Sequence, residues 1–275
     1  MMRIEKASLN VGAIVTGLDL TRISDSDWRA LYQAWLDHLV LVVRDQEFTV
    51  PQFLAVAERF GRLTPHRVLR TRDLEYPALT RMGVSTKKPD GKVDKAVFAR
   101  GQGWHTDGPW EVRGVSKATQ LYGLELPSVG GDTLFANMYA SLDALPETLR
   151  QRLEGVTAEY VYGGRERLGV DLLDPSDRDA PPVAWPVLRT HSETGRRSLY
   201  FNPYHFLRFV GMSEVEGNAL FDELRDRMIQ EDAEYRHQWC RHDYVIWDNR
   251  CSNHAAAGGY PIEERRIHWR ATILE

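Results

Sequence analysis

Cysteine is scarce in this chain of 275 residues, which contains only Cys240 and Cys251. These two residues form no CxxC pair, so they indicate neither a disulfide framework nor a cysteine-based metal site. The small secreted domains that depend on disulfides are therefore excluded. The composition fits a protein of a reducing compartment.

Long apolar runs are also missing. The longest, "LVLVV" at 39–43, has the length of a buried strand and is far too short to span a membrane. The first residues, "MMRIEKASLN", lack the apolar segment of a signal peptide. We therefore expect a soluble, cytoplasmic protein with no membrane partner.

Positive charge is not in excess, because 35 Lys and Arg residues stand against 39 Asp and Glu residues and the net charge is −4. Such a protein has no general basic footprint, so we expect no nucleic acid as a partner. The densest basic group is typical of one solvated loop and consists of Lys87, Lys88, Lys92 and Lys95. No linker-like stretch interrupts the sequence, which predicts a single domain over residues 1–275.

Hydrophobic periodicity predicts helices that flank a core rich in strands. Helices are expected within 24–38, 49–61 and 213–230, with a shorter one after Pro146. Strands are expected in "GAIVTG", "LVLVV", "KATQLYGLEL", "DTLFAN", "AEYVYG", "RRSLYFN", "YRHQWC", "DYVIWDN" and "IHWRATILE". The acidic, proline-rich segment 171–186 is expected to be a loop. Many short strands with inserted helices indicate a mainly β, α+β protein with a β-sandwich or jelly-roll core.

A histidine and an aspartate lie two residues apart in "GWHTDGPW", residues 103–110. On one strand face, His105 and Asp107 would point to the same place. His254 is a third candidate because small residues follow it, whereas His191 precedes a turn and is expected to be exposed. Two histidines and a carboxylate suit Fe(II) with open coordination positions, and they also suit catalytic zinc. A structural hydrogen-bonded pair is the alternative for His105 and Asp107.

The C-terminal strand carries arginines on the face that would point inward. Alternation places Arg266 and Arg270 on one face and Arg265 on the other. Buried guanidinium groups need anionic partners, and small carboxylates match their paired N–H donors. Salt bridges to carboxylates of the protein are the alternative.

These residues and the motifs around them resemble the taurine dioxygenase and 2,4-D dioxygenase (TauD/TfdA) family of Fe(II)/2-oxoglutarate oxygenases. The similarity runs nearly end to end. It includes "ELPSVGGDTLFAN" and "RATIL", and its most specific part is "WHTD" followed in order by "WDNR" and the histidine after it. The resemblance implies a double-stranded β-helix (jelly-roll) core and an enzyme that uses Fe(II), 2-oxoglutarate and molecular oxygen and releases succinate and CO2.

The roles that the resemblance implies are specific to single positions. His105, Asp107 and His254 would bind the iron and form the catalytic centre. Thr133 and Arg266 would bind 2-oxoglutarate, and strand alternation favours Arg266 over its neighbour Arg265. The residues implied or considered on the substrate side are Arg270, His66, His205 and Trp110, the last as a wall of the pocket.

The substrate positions depart from the taurine enzyme. Leu69 stands where that enzyme has a tyrosine, Gly101 where it has an asparagine, and His205 where it has a phenylalanine. Because Arg270 and His66 are kept, we expect hydroxylation of a small anionic substrate other than taurine. A divalent-metal hydrolase and a non-catalytic jelly-roll protein that binds a small acid are the alternatives. Family members are often dimers or tetramers, so a homo-oligomer is expected by analogy.

Overall fold

The computed structural model describes residues 1–83 and 101–275. The lysine group at 87–95 lies outside the described residues. Within the described part, no helix combines the length and the apolar character needed to cross a membrane.

The described residues form five α-helices and sixteen strands. The helices are α1 (Asp25–His38), α2 (Val50–Glu58), α3 (Met138–Ala144), α4 (Glu147–Leu153) and α5 (Glu214–Arg227). The strands are β1 (Arg3–Lys6), β2 (Ala13–Thr16), β3 (Val40–Val43), β4 (Arg62–Thr64), β5 (Thr80–Met82), β6 (Ser116–Glu125), β7 (Thr133–Asn137), β8 (Thr157–Tyr160), β9 (Val183–Pro186), β10 (Leu188–Thr190), β11 (Arg197–Leu199), β12 (Phe206–Phe209), β13 (Glu234–His237), β14 (Tyr244–Asp248), β15 (Ser252–Ala256) and β16 (Ile267–Leu274).

The strands of the described residues form four sheets, two of which, a large one and a small one, face each other. The large sheet has the order β1-β2-β3-β14-β6-β16-β4, with β5 also paired to β16, and the small sheet has the order β13-β7-β15. Side chains of both sheets meet between them, and the rings of Phe135 on β7 and Trp247 on β14 lie 5.5 Å apart. The other face of the large sheet packs against α1 and α2 through residues that include Trp35, Phe53 and Trp269. This arrangement confirms the mainly β fold with flanking helices and a jelly-roll core.

Side-chain caps fix the starts of the main helices where the sequence predicts them. Ser24 accepts a hydrogen bond from the backbone of Asp27 at the start of α1. Thr49 with Gln52, and Ser213 with Glu216, form capping boxes at α2 and α5. Each cap satisfies backbone N–H groups that have no partner within the helix.

Two local expectations are wrong. The segment 171–186 is not a loop throughout, because residues 183–186 form β9, which pairs with β8 at the edge of a three-stranded sheet. An edge strand tolerates Pro186, which cannot donate to a sheet. The helix α3 was not expected, because β7 leads straight into it. Asn137, the last residue of β7, caps α3 by accepting hydrogen bonds from the backbone of Tyr139 and Ala140.

Candidate metal centre and active site

A pair of backbone hydrogen bonds brings His105 and His254 together. The His105 N–H donates to the His254 carbonyl at 3.0 Å, and the His254 N–H donates to the His105 carbonyl at 2.7 Å. His254 lies on β15, whereas the segment around His105 is irregular and pairs at this single residue. The imidazole centroids are 4.2 Å apart. This contact between distant parts of the chain, and not a regular strand over 103–110, positions the two rings.

Asp107 completes the cluster. Its Oδ2 lies 3.7 Å from Nε2 of His254 and accepts a hydrogen bond from the Thr119 hydroxyl at 2.7 Å. Its Oδ1 lies 2.9 Å from Nη2 of Arg270. Burial alone would raise the pKa of Asp107, but the Arg270 guanidinium and the neighbouring imidazoles outweigh burial and hold that pKa well below its usual range. Asp107 is therefore an anion at neutral pH.

The three side chains fit a divalent metal ion. One ligand atom from each of His105, Asp107 and His254 lies within 4.8 Å of the other two. Nδ1 of His105 lies 2.7 Å from the Gly103 carbonyl, which leaves Nε2 free to coordinate. Burial lowers the pKa of His105, and it lowers the pKa of His254 to about 3, so both rings are neutral as metal binding requires. Two neutral imidazoles and a carboxylate form the donor set of a catalytic transition-metal site.

A second histidine cluster is structural. His191, Asp248 and Cys251 are also close enough for a metal, but both oxygens of Asp248 bind Arg250, at 2.8 Å and 2.6 Å. His191 Nε2 lies 2.9 Å from the same carboxylate. The expectation that His191 is exposed is wrong: its side chain is buried and binds the buried carboxylate of Asp248. Because the Arg250 guanidinium already neutralises the charge of Asp248, this cluster does not need a metal ion.

Arg250→Met should destabilise the protein without touching the metal cluster. Arg250 and Asp248 are each 1% exposed, and loss of one partner leaves the other charge buried and unpaired. We expect the free energy of unfolding to fall by about 3–5 kcal/mol, measured by urea denaturation. The control is Arg197→Met, in an exposed pair with Glu154, where the change should stay below about 1 kcal/mol. Equal stability of the two variants would contradict the structural role of Arg250.

Arg266 lies beside Thr133, the first residue of β7. Arg266 Nε donates to the Gly131 carbonyl at 2.7 Å, and Nη2 lies 3.4 Å from the Thr133 hydroxyl. The Trp239 indole donates to that hydroxyl at 3.0 Å. Within residues 1–83 and 101–275, no carboxylate oxygen lies within 4.0 Å of Arg266. Arg265, by contrast, is exposed and pairs with Glu125 at 3.2 Å. Arg266 therefore presents a guanidinium without a described carboxylate contact to the space beside Thr133.

Arg270 lies beside Asp107, and the charges of both residues act on the buried ring of His66. His66 Nδ1 accepts a hydrogen bond from the Val68 N–H at 3.2 Å, which leaves Nε2–H as a donor. Burial and then the charge of Arg270 lower the pKa of His66 to about 3, so this donor is neutral. The site therefore offers a cation and a neutral N–H group near Asp107.

Aromatic rings form a wall near the cluster. Trp110 meets Tyr162 edge to face with ring centroids 5.0 Å apart, and His205 lies 5.9 Å from Trp110. Burial lowers the pKa of His205 to about 3, and its Nδ1 accepts a hydrogen bond from the Gly163 N–H at 3.1 Å. Trp110 and His205 thus lie in one aromatic group, whereas Leu69 is exposed.

Asn249 and Thr119 hold Asp107 in place and were not singled out from the sequence. Oδ1 of Asn249 accepts hydrogen bonds from the Asp107 N–H at 3.3 Å and from the Trp247 indole at 3.0 Å. Nδ2 of Asn249 donates to the Thr119 hydroxyl at 3.0 Å, and Thr119 donates to Asp107. The available signal was the pair of polar residues Thr119 and Gln120 in the middle of the strand "KATQLYGLEL".

Comparisons with known proteins agree with this geometry. Residues 3–272 match the model of the family described as taurine catabolism dioxygenase TauD, TfdA family. The (S)-phenoxypropionate/alpha-ketoglutarate-dioxygenase of Sphingobium herbicidovorans is 32% identical over 95% of this chain and 91% of its own length. The alpha-ketoglutarate-dependent 2,4-dichlorophenoxyacetate dioxygenase of Cupriavidus pinatubonensis is 34% identical over 95% and 93%.

A solved structure has the same fold and contains a metal. The crystal structure of AAD-2 in complex with Mn(II) and N-oxalylglycine superposes with a TM-score of 0.82 and 28% identity, covering 100% of this chain and 97% of that one. Alpha-ketoglutarate is 2-oxoglutarate, so the comparisons and the described site point to one chemistry. The chain belongs to the TauD/TfdA family and is a 2-oxoglutarate-dependent dioxygenase that uses O2 and a metal.

Proposed function

We propose that the protein is an Fe(II) enzyme that hydroxylates a small anionic organic substrate other than taurine. His105, Asp107 and His254 hold the iron, and Thr133 with Arg266 holds 2-oxoglutarate. The observation that carries the proposal is the pairing of a two-histidine, one-carboxylate cluster with the Arg266 guanidinium, which contacts no carboxylate among the described residues. A hydrolase built on the same ligands has no use for Arg266.

Iron is the metal that this donor set favours for oxygen chemistry, because two imidazoles and one carboxylate leave room for cosubstrate and oxygen. When bound, iron with 2-oxoglutarate and O2 supplies the oxidising power and yields succinate and CO2. The protein itself orients the two acids and fixes the ligands. Thr119 and Asn249 hold Asp107 at its carboxylate and at its backbone, as partners of metal ligands commonly do.

Arg270 and His66 are the groups proposed to bind the acidic end of the substrate. Arg270 is 13% exposed at its side chain and carries its charge beside Asp107. A guanidinium forms paired hydrogen bonds with a carboxylate or a sulfonate, and the neutral N–H of His66 adds a donor. Two relatives are named for phenoxypropionate and 2,4-dichlorophenoxyacetate, both anions with an aromatic ring. The rings of Trp110, Tyr162 and His205 provide a matching apolar wall.

A panel of acids and their neutral amides tests the substrate class. We expect succinate release, in the presence of Fe(II), to depend on carboxylates or sulfonates, with aromatic acids preferred and taurine poor. Turnover of amides as fast as that of acids would overturn the anionic class. Hydrolysis supported by zinc without 2-oxoglutarate would favour the hydrolase instead.

Arg270→Met should raise KM for the acid substrate. Loss of a desolvated charge partner costs about 2–5 kcal/mol, so we expect an increase of roughly 30-fold or more, with the KM for 2-oxoglutarate nearly unchanged. Steady-state kinetics with each substrate varied separately measure both values. Arg81→Met is the control, since Arg81 is exposed and pairs with Asp73. A larger effect on 2-oxoglutarate than on the acid would contradict the assignment.

The remaining expectations stay predictions. They are a single domain over 1–275, a dimer or tetramer, a cytoplasmic location and no nucleic-acid or membrane partner. Gel filtration with light scattering checks the oligomeric state.

A further inference from the structure

His268 faces the interior of the fold between the two arginines of β16. Alternate residues of this strand point to opposite sides of the large sheet. Trp269, Ala271 and Ile273 belong to the core that packs against α1 and α2. The other face, which carries His268 and Arg270, therefore points toward the small sheet. Arg266, just before the strand, lies on the same side.

The His268 ring is buried and has no polar partner among the described residues. Its exposure is 0%, and neither ring nitrogen forms a hydrogen bond with any part of the chain that the structure describes. Buried imidazoles normally satisfy at least one nitrogen, because an unmade hydrogen bond costs stability. A residue that breaks this rule beside a binding site is a candidate for ligand contact.

His268 lies next to the residues that are proposed to bind 2-oxoglutarate. The Trp239 ring meets His268 edge to face with centroids 4.4 Å apart, and the same indole donates to the Thr133 hydroxyl at 3.0 Å. Arg266 Nη2 lies 3.4 Å from that hydroxyl. Gly123 lies opposite His268 on β6, and a Cβ there would lie 3.3 Å from the Trp239 ring, so the glycine leaves room for the indole. We call Thr133, Trp239, Arg266 and His268 the cosubstrate pocket.

We infer that His268 is a further cosubstrate-binding residue, whose imidazole N–H donates a hydrogen bond to the distal carboxylate of 2-oxoglutarate beside Arg266. This inference rests on the proposed function, which places that carboxylate at Thr133 and Arg266. Burial and the charge of Arg266 keep the pKa of His268 well below its usual range. The ring is then neutral and keeps one N–H donor. Because the ring is fully buried, neighbouring side chains must move to admit the carboxylate, which then satisfies a donor that has no partner among the described residues.

Binding of 2-oxoglutarate to the full-length protein loaded with Mn(II) tests this contact without turnover. Calorimetric titration compares the wild type with His268→Leu and His268→Met, which fill similar space without a donor. We expect dissociation constants about 10- to 100-fold higher for both, the range for a lost hydrogen bond to a charged group. His268→Asn or His268→Gln restores an amide N–H, and at least one of them should recover most of the affinity.

A second ligand distinguishes the loss of a hydrogen bond from a change in packing against Trp239. 2-Oxopentanoate has the same number of carbons as 2-oxoglutarate but lacks the distal carboxylate. His268→Leu should bind it as weakly as the wild type does. If His268→Leu and His268→Met bind 2-oxoglutarate normally, or weaken both ligands alike, the inference is wrong. Unchanged affinity in Arg266→Ala would instead reject the proposed cosubstrate site, so the two failures are distinguishable.

Discussion

Asp107→Ala is expected to abolish metal-dependent turnover. Asp107 supplies the one carboxylate of the cluster and lies beside Arg270, so its removal leaves two neutral imidazoles and an unpaired cation near the metal position. Loss of a partner that merely orients a ligand costs about 10- to 100-fold in metal affinity or activity, and loss of the ligand itself should cost more. Equilibrium dialysis with Fe(II) and an assay of succinate release measure the two effects.

A matched control distinguishes the loss of a metal ligand from the loss of a residue that only orients it. Thr119→Val keeps the carboxylate but removes the hydroxyl that donates to it at 2.7 Å. We expect this variant to bind metal and its activity to fall by no more than about 10- to 100-fold. His105→Ala should behave like Asp107→Ala. Wild-type metal affinity and turnover in either ligand variant would reject the assigned cluster.

The local parts of this fold could be predicted from the sequence. The caps at Ser24 and Thr49 lie at the expected helix starts, because a side-chain oxygen followed by apolar residues at helical spacing is a local signal. The alternation of the last strand, extended back to the two residues before β16, likewise indicates which arginine points away from solvent. Arg265 is exposed and Arg266 lies beside Thr133.

The long-range parts could not be predicted from residue patterns alone. His105 and His254 meet through one backbone bridge between an irregular segment and β15, and no local pattern encodes that pairing. The family resemblance suggested it only because the motifs occur in a specific order. His191 shows the opposite case. Its position before a turn indicated exposure, but Asp248 from another part of the fold binds it in the interior.

Arg266→Ala is expected to weaken 2-oxoglutarate binding by about two to three and a half orders of magnitude. The guanidinium is held by the Gly131 carbonyl and lies beside the Thr133 hydroxyl, with no carboxylate of the described residues within 4.0 Å. Removing one partner of a buried charge pair costs about 3–5 kcal/mol, and each 1.4 kcal/mol corresponds to about tenfold in affinity. An anaerobic titration of the Fe(II) protein, followed by its visible charge-transfer band, gives the dissociation constant.

Arg265 provides the control that distinguishes a specific contact of Arg266 from a general effect of charge. Arg265→Ala removes the same charge one position away, but its guanidinium is 66% exposed and pairs with Glu125. Its effect on 2-oxoglutarate should therefore stay below about 1 kcal/mol, or roughly fivefold. Arg266→Lys keeps the charge but loses the planar donor pair, so an intermediate affinity is expected. If Arg265→Ala weakens binding as much as Arg266→Ala does, long-range charge attracts the cosubstrate and the proposed contact is wrong.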